Sequence, residues 1–124
     1  MRADVQVDVI VPVHNAATTV RSSVYSALHQ EFPDTTQSSL LQRFLDEYYI
    51  SVTVCCYDDG SKDDSLRILR EIEASQSHPT KSATIPATSA IPSQLLVESS
   101  VDGIARGAGY ARNRAIEKIG RAHV

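Results

Sequence analysis

Residues 50–61, ISVTVCCYDDGS, combine a β-rich apolar run with an abrupt polar end. Runs of this kind are typical of strands that are covered on both faces, as in a parallel sheet. The acidic pair and the glycine that follow are turn residues. The stretch therefore predicts a buried strand that ends in a polar turn. Cys55 and Cys56 would point to opposite faces of this strand, so we expect two unbridged packing residues.

Extended and helical patterns alternate on both sides of this strand. The predicted strands cover residues 7–13, 50–57 and 94–98, and the predicted helices cover residues 18–30, 40–49, 63–72 and 109–119. Thr18 or Asn15 is the predicted cap of the first helix. This order predicts an α/β fold with a mostly parallel sheet and flanking helices. A further strand is predicted to begin within residues 120–124 and to be cut off, which would truncate the fold at its C-terminal side.

Residues 74–94 differ in composition, with eight Ser/Thr, three Pro and no acidic residue. A segment without apolar periodicity has little to bury, so it is predicted to be a flexible surface insertion. The rest of the chain is expected to form one domain.

Charge and hydropathy exclude several kinds of partner. The net charge is −3 and no Lys/Arg cluster is present, which argues against nucleic acid as a partner. The longest apolar run, near residues 9–13, is far too short to span a membrane, and the N-terminus lacks the apolar core of a signal peptide. We therefore expect a cytoplasmic protein, or one at the cytosolic face of a membrane.

Three polar clusters follow the three predicted strands, at residues 12–15, 58–61 and 102–109. In an open parallel sheet, ligands bind beyond the carboxyl ends of the strands, where the strand order reverses. The convergence of three separate regions on one edge therefore predicts a ligand site.

Each polar residue in these clusters has two interpretations. A carboxylate at Asp59 can accept a hydrogen bond from a base or a ribose hydroxyl. Alternatively, Asp58 and Asp59 form a turn, with Gly60 in an unusual backbone conformation and the carboxylates capping the next helix. His14 can contact a base or serve as a structural residue. Arg106 and Arg112 can meet phosphates or a base edge, or can be solvated surface charges.

Three motifs carry a resemblance to family 2 glycosyltransferases. They are DVIVPVHNA at residues 8–16, DDGSKD at residues 58–63 and GAGYARN at residues 107–113, in the order and spacing of that family apart from two insertions near residues 33–45 and 75–93. The resemblance covers nearly the whole chain. Residues 14–16 together with 106–113 are also similar to the β-1,3-N-acetylglucosaminyltransferase-like members.

The resemblance implies a GT-A (Rossmann-like) fold that binds a nucleoside diphosphate sugar, often a UDP-sugar, and transfers the sugar to an acceptor hydroxyl. By this resemblance Pro12, His14 and Asp59 cradle the nucleoside and Arg106 approaches the base. The candidate nucleotide-sugar-binding residues are therefore Pro12, His14, Asn15, Asp59 and Arg106, with Asp58, Arg112 and Asn113 as further candidates.

The chain lacks two features of the family pattern. The Asp-x-Asp motif that holds a divalent cation, Mn²⁺ or Mg²⁺, is absent from the 124 residues, and the acceptor-side catalytic base is absent too. No catalytic residue and no metal ligand are assigned. We expect this chain to be a partial domain, with the donor nucleoside-binding half, that is inactive alone. The sugar and the acceptor stay unassigned.

Other functions are less compatible with the sequence. A nucleotidyltransferase would place a Gly-rich, basic loop after the first strand, where this chain has HNAA at residues 14–17. A receiver-type phosphorylation domain would have acidic residues there. A non-catalytic nucleotide-binding or interaction module stays open as an alternative.

Overall fold

The computed structural model describes residues 3–34, 38–76 and 90–122. Three strands and four helices lie within these ranges. They are β1 (Ala3–Val13), α1 (Val20–Leu28), α2 (Ser39–Glu47), β2 (Tyr48–Asp58), α3 (Ser65–Gln76), β3 (Ser93–Ser99) and α4 (Ala108–Ala122). The predicted α/β class is confirmed. None of the helices in the described ranges is long and apolar enough to cross a membrane.

The strands form one parallel sheet in the order β1-β2-β3. The register places Val13 beside Asp58 and Asp58 beside Ser99, so the three carboxyl ends lie level with one another. The loops that leave these ends consequently meet at one edge. The strand order does not reverse among the described residues, in contrast to the reversal expected beside a ligand site.

The central strand β2 is covered on both faces, which explains its near-continuous apolar sequence. Cys56 belongs to the core that α1 and α3 cover, together with Val54, whereas Cys55 and Tyr57 belong to a second core under α4. The two cysteines are buried and free, as predicted. Burial raises the pKa of the Cys56 thiol to about 12 and that of Cys55 to about 11.

The helix α4 crosses to the face opposite α1 and α3. Its inner residues Ala111, Ala115 and Ile119 repeat at helical spacing and pack beneath β2, where small side chains allow a close approach. The helix packs mainly on β1 and β2, and less on β3, the strand that precedes it in the chain. This change of face carries the loop between β3 and α4 across the carboxyl end of β2.

Two predicted boundaries are wrong, the N-cap of α1 and the strand predicted after α4. The N-cap of α1 is Thr19, which makes no side-chain capping bond, and not Thr18 or Asn15. Asn15 has a left-handed backbone (φ +48°), and its side-chain oxygen is occupied by the Lys62 N–H. The helix α4 continues through residues 120–122, where a strand was predicted, and Arg121 there pairs with Glu98 at 2.9 Å.

Both ends of the segment predicted as a flexible insertion, residues 74–94, belong to regular elements. Residues 74–76 complete α3, and residues 93–94 begin β3. The Ile91 N–H donates to the Gln30 carbonyl, so backbone pairing starts before the strand. Residues 77–89 lie outside the described residues.

Candidate functional site

A pocket of about 470 Å³ lies at the carboxyl edge of the sheet. The walls come from three regions of the chain: the end of β1, the turn after β2, and the loop and first turns of α4. The lining residues are Pro12, Val13, His14, Asp59, Ala105, Gly107, Ala108 and Ala111. The predicted convergence of three clusters on one edge is therefore present in the structure. A smaller cavity of about 290 Å³ lies between α2 and the start of β2, away from these residues.

The Asp59 carboxylate joins the turn after β2 to the loop before α4. One carboxylate oxygen accepts the Arg106 N–H at 2.8 Å, and the other accepts the Gly107 N–H at 2.7 Å. The Asp59 N–H in turn donates to the Val13 carbonyl at 2.8 Å. A carboxylate at a helix N-terminus is also favoured by the helix dipole. Asp59 thus holds all three walls of the pocket together.

Because Gly60 has no side chain, the loop between β3 and α4 can lie directly against it. Its φ is +66°, and a Cβ there would lie 2.7–2.9 Å from backbone atoms of residues 103–105. Such distances are shorter than any tolerated contact, so only glycine allows the loop to approach the turn. The Asp59-Gly60 pair therefore acts as a docking element for the loop between β3 and α4.

Asp58 has the turn role that the sequence left open. Its buried carboxylate accepts the Ser61 hydroxyl at 2.6 Å and the Ser61 N–H at 3.1 Å, and its carbonyl accepts the Ser100 N–H. Asp58 does not line the pocket. The alternative in which this aspartate pair caps the next helix is wrong, because Asp63 accepts the Ser65 N–H at the start of α3. The hydrogen bonds from Ser65 lower the pKa of Asp63.

His14 and Asn15 connect the end of β1 to the same turn. The Nδ1 atom of His14 lies 2.8 Å from the Asp59 carbonyl oxygen, and its Nε2 lies 3.2 Å from the Asn15 amide nitrogen. The Asn15 N–H donates to the Ser61 hydroxyl at 2.9 Å. His14 lines the pocket, whereas Asn15 does not.

The Arg106 side chain is held within its own loop. Its guanidinium makes a two-bond contact with the Asp102 carboxylate, at 2.6 and 3.0 Å, and lies 5.6 Å from the centre of the Tyr110 ring. The hydrogen bond between the two side chains lowers the pKa of Asp102 and raises that of Arg106. Arg106 does not line the pocket, and its contact with the site is the backbone N–H to Asp59.

The candidates Arg112 and Asn113 are exposed on α4 and do not line the pocket either. The neighbouring Ala111 is buried and does line it. The sequence reasoning missed the alanines of this wall, Ala105, Ala108 and Ala111. The available signal was the three-residue spacing of Ala108 and Ala111 at the start of the predicted helix, next to a glycine.

The resemblance to family 2 glycosyltransferases implies a divalent cation, and such an ion requires oxygen or nitrogen ligands from the protein. Within residues 3–34, 38–76 and 90–122, no group of three or more His, Cys, Asp or Glu side chains is arranged to hold a metal ion. The residues described do not fit that cofactor, and no chemical step is assigned to it.

The fold and the pocket define an α/β domain of the Rossmann-like GT-A type, with a pocket at the carboxyl edge of a parallel sheet. The protein-family model for glycosyl transferase family 2 matches residues 8–84, more than half of the chain. The chain belongs to glycosyl transferase family 2. No curated protein and no solved structure gives a significant match. The match includes His14 and the 58–63 motif and ends before the 107–113 motif.

Proposed function

We propose that this chain binds the nucleoside part of a nucleotide-sugar donor, with UDP-sugars as the donor class, for transfer of the sugar to an acceptor hydroxyl. The observation that supports this most directly is the pocket in which residues of the β1 end, Asp59 and the start of α4 converge. Ligands of open parallel sheets bind at this edge. The membership of the chain in glycosyl transferase family 2 supplies the donor class.

The pocket walls suit a flat heterocycle. Pro12 and His14 offer ring surfaces on one side, and the methyl groups of Ala105, Ala108 and Ala111 make the remaining wall apolar. Planar rings stack well on such surfaces, because the burial of apolar area on both sides is favourable in free energy. We place the nucleobase between these two walls.

Asp59 supplies the polar group of the pocket. Each carboxylate oxygen accepts one backbone N–H, and a carboxylate has about four lone-pair sites in all. One remaining site can accept the imide N–H of a uracil ring at the pocket wall. The residue then has two roles, since the atoms that would contact the base also hold the loop.

The proposed role ends at the nucleoside. Among the described residues that line the pocket, none is Lys or Arg, and Arg106 is paired with Asp102. The 124 residues also contain no Asp-x-Asp motif. We therefore propose that this chain binds the donor without transferring the sugar by itself. The subgroup resemblance to β-1,3-N-acetylglucosaminyltransferase-like members stays a prediction.

Calorimetric titration with UDP tests this proposal. Ala108 is exposed and lines the pocket, so Ala108→Leu fills the space with little effect on the core. We expect wild-type protein to bind UDP and Ala108→Leu to bind at least about tenfold more weakly, a loss of about 1.4 kcal/mol. Ala3→Leu makes the same change at an exposed position at the opposite end of β1 and serves as the control. Equal affinity in all three proteins would place UDP elsewhere.

A further inference from the structure

We propose that Asn15 is a positioning residue that fixes the His14 ring in one tautomer and one orientation. His14 then offers its ring face, and no ring nitrogen, to the nucleobase. This inference rests on the proposed function for its ligand, but the ring geometry on which it depends exists without one.

The first constraint acts on the Nδ1 atom of His14. This atom lies 2.8 Å from the carbonyl oxygen of Asp59. A carbonyl oxygen only accepts hydrogen bonds, so the proton must be on Nδ1. The contact also holds the ring against the turn that carries the Asp59 carboxylate.

The second constraint acts on the Nε2 atom through the Asn15 amide. The Asn15 side-chain oxygen accepts the Lys62 N–H at 2.7 Å, which settles which end of the amide is oxygen. The NH₂ end therefore faces His14, where it lies 3.2 Å from Nε2. An NH₂ group donates, so Nε2 must carry a lone pair. The two constraints agree on the neutral ring with its proton on Nδ1.

The consequence concerns how the pocket recognises a base. Both ring nitrogens of His14 are engaged by the protein, so neither is available for the edge of a nucleobase. His14 lines the pocket, which leaves stacking as the contribution of its ring. Asn15 is predicted from the sequence to contact the donor, but it does not line the pocket and instead contacts His14. The contacts assign it an indirect role.

Nitrogen-15 spectra of the histidine rings, recorded on the ligand-free protein at neutral pH, test the tautomer. We expect His14 to be protonated on Nδ1 only. In Asn15→Ala, the Nε2 signal should move towards that of a ring nitrogen without a hydrogen-bond donor. His29 has its own Nδ1 contact with the Tyr25 carbonyl at 2.7 Å and should not change. A proton on Nε2 of wild-type His14, or an Nε2 signal unchanged in Asn15→Ala, would overturn the assignment.

UDP affinity tests the role in binding through a double-mutant cycle. We expect Asn15→Ala to weaken UDP binding about fivefold, which corresponds to about 1 kcal/mol. The same change should cost less than about twofold when His14 is already alanine, because contacts that act through one another are not additive. Additive losses would make Asn15 a direct donor contact and overturn the proposal.

If Asn15→Ala does not fold, the stacking role of His14 can still be tested by comparing UDP binding of His14→Phe and His14→Ala. His14→Phe retains a ring face and lacks both nitrogens, so it should bind UDP better than His14→Ala. Equal losses in the two variants would show that a ring nitrogen matters and would contradict the proposal. If wild-type protein does not bind UDP, the proposed function fails, together with the donor-binding role of His14. The ring spectra still decide the tautomer in that case.

Discussion

The Asp59 carboxylate accepts the backbone N–H of Gly107 at 2.7 Å, although the two residues are 48 positions apart. The other oxygen of the same carboxylate accepts the adjacent N–H of Arg106. One buried side chain therefore sets the position of the loop that forms the far wall of the pocket. The site depends on this contact whether or not Asp59 also touches a ligand.

Asp59→Asn should destabilise the protein. The amide keeps one acceptor but turns its NH₂ group towards a backbone N–H, which leaves buried polar groups unpaired. We expect the free energy of unfolding to fall by about 1–3 kcal/mol, measured by urea denaturation. Asp64→Asn is the control, because the Asp64 side chain is 69% exposed and its pair with Arg67 lies at the surface. An equal loss in both variants would contradict the docking role of Asp59.

Gly60→Ala should be much more disruptive than Gly103→Ala. Both glycines have a left-handed backbone, with φ of +66° and +72°, so each substitution carries a strain of about 1–2 kcal/mol. Only at Gly60 would the new Cβ meet backbone atoms, whereas nothing lies within 4 Å at Gly103. We expect a larger fall in unfolding free energy and a loss of UDP affinity for Gly60→Ala alone. Similar effects at the two positions would mean that the loop does not depend on Gly60.

The Asp102–Arg106 pair should make the loop sensitive to acid. The Arg106 side chain, followed by the Ile104 N–H, lowers the pKa of Asp102 from its ordinary 3.8. A carboxyl group whose pKa is lowered by folding stabilises the folded state above its ordinary pKa, and this stabilisation is lost as the pH falls through the lowered value.

Urea denaturation at pH 7 and at stepwise lower pH values checks this dependence. Wild-type protein should be more stable than Asp102→Asn at pH 7, and the difference should shrink progressively below about pH 4. The pair is partly exposed, so the difference should also decrease with salt. A difference that stays constant from pH 7 into the acid range would rule out an ionised Asp102 as its source.

The two cysteines should resist thiol reagents in the folded protein. Both are fully buried, and burial raises the pKa of Cys56 to about 12 and of Cys55 to about 11, so little thiolate forms near pH 8. A chromogenic disulfide reagent should detect no rapid reaction in buffer and two thiols per chain in denaturant. Rapid reaction of either thiol in buffer would contradict the burial of β2 on both of its faces.

Local patterns were sufficient to predict much of the fold. The apolar run at residues 50–57 gave a strand because both of its faces are buried, and the spacing of Leu69 and Ile72 placed α3. The error at the start of α1 comes from a contact between residues far apart in the sequence. Asn15 was considered a helix cap, but the Lys62 N–H, 47 residues away, occupies its side-chain oxygen.

The site was predicted less completely than the fold. Polar residues after strands indicated its edge, and Pro12, His14 and Asp59 do line the pocket. The partners of Asp59 are backbone N–H groups, which every non-proline residue has, so no sequence pattern marks them. Arg106 was predicted to contact the ligand, but its side chain pairs with Asp102. That pairing depends on the conformation of the loop, which the sequence does not show. Such tertiary contacts become visible only in the folded chain.

Amide chemical-shift mapping with UDP tests the central claim most directly. Nitrogen-15-labelled protein is titrated with UDP, and the shifts of the backbone amides are compared residue by residue. The account predicts saturable changes grouped at residues 13–16, 58–61 and 105–111, with little change near the cavity between α2 and β2. Saturable shifts centred on that cavity, or no saturable shifts at all, would contradict it.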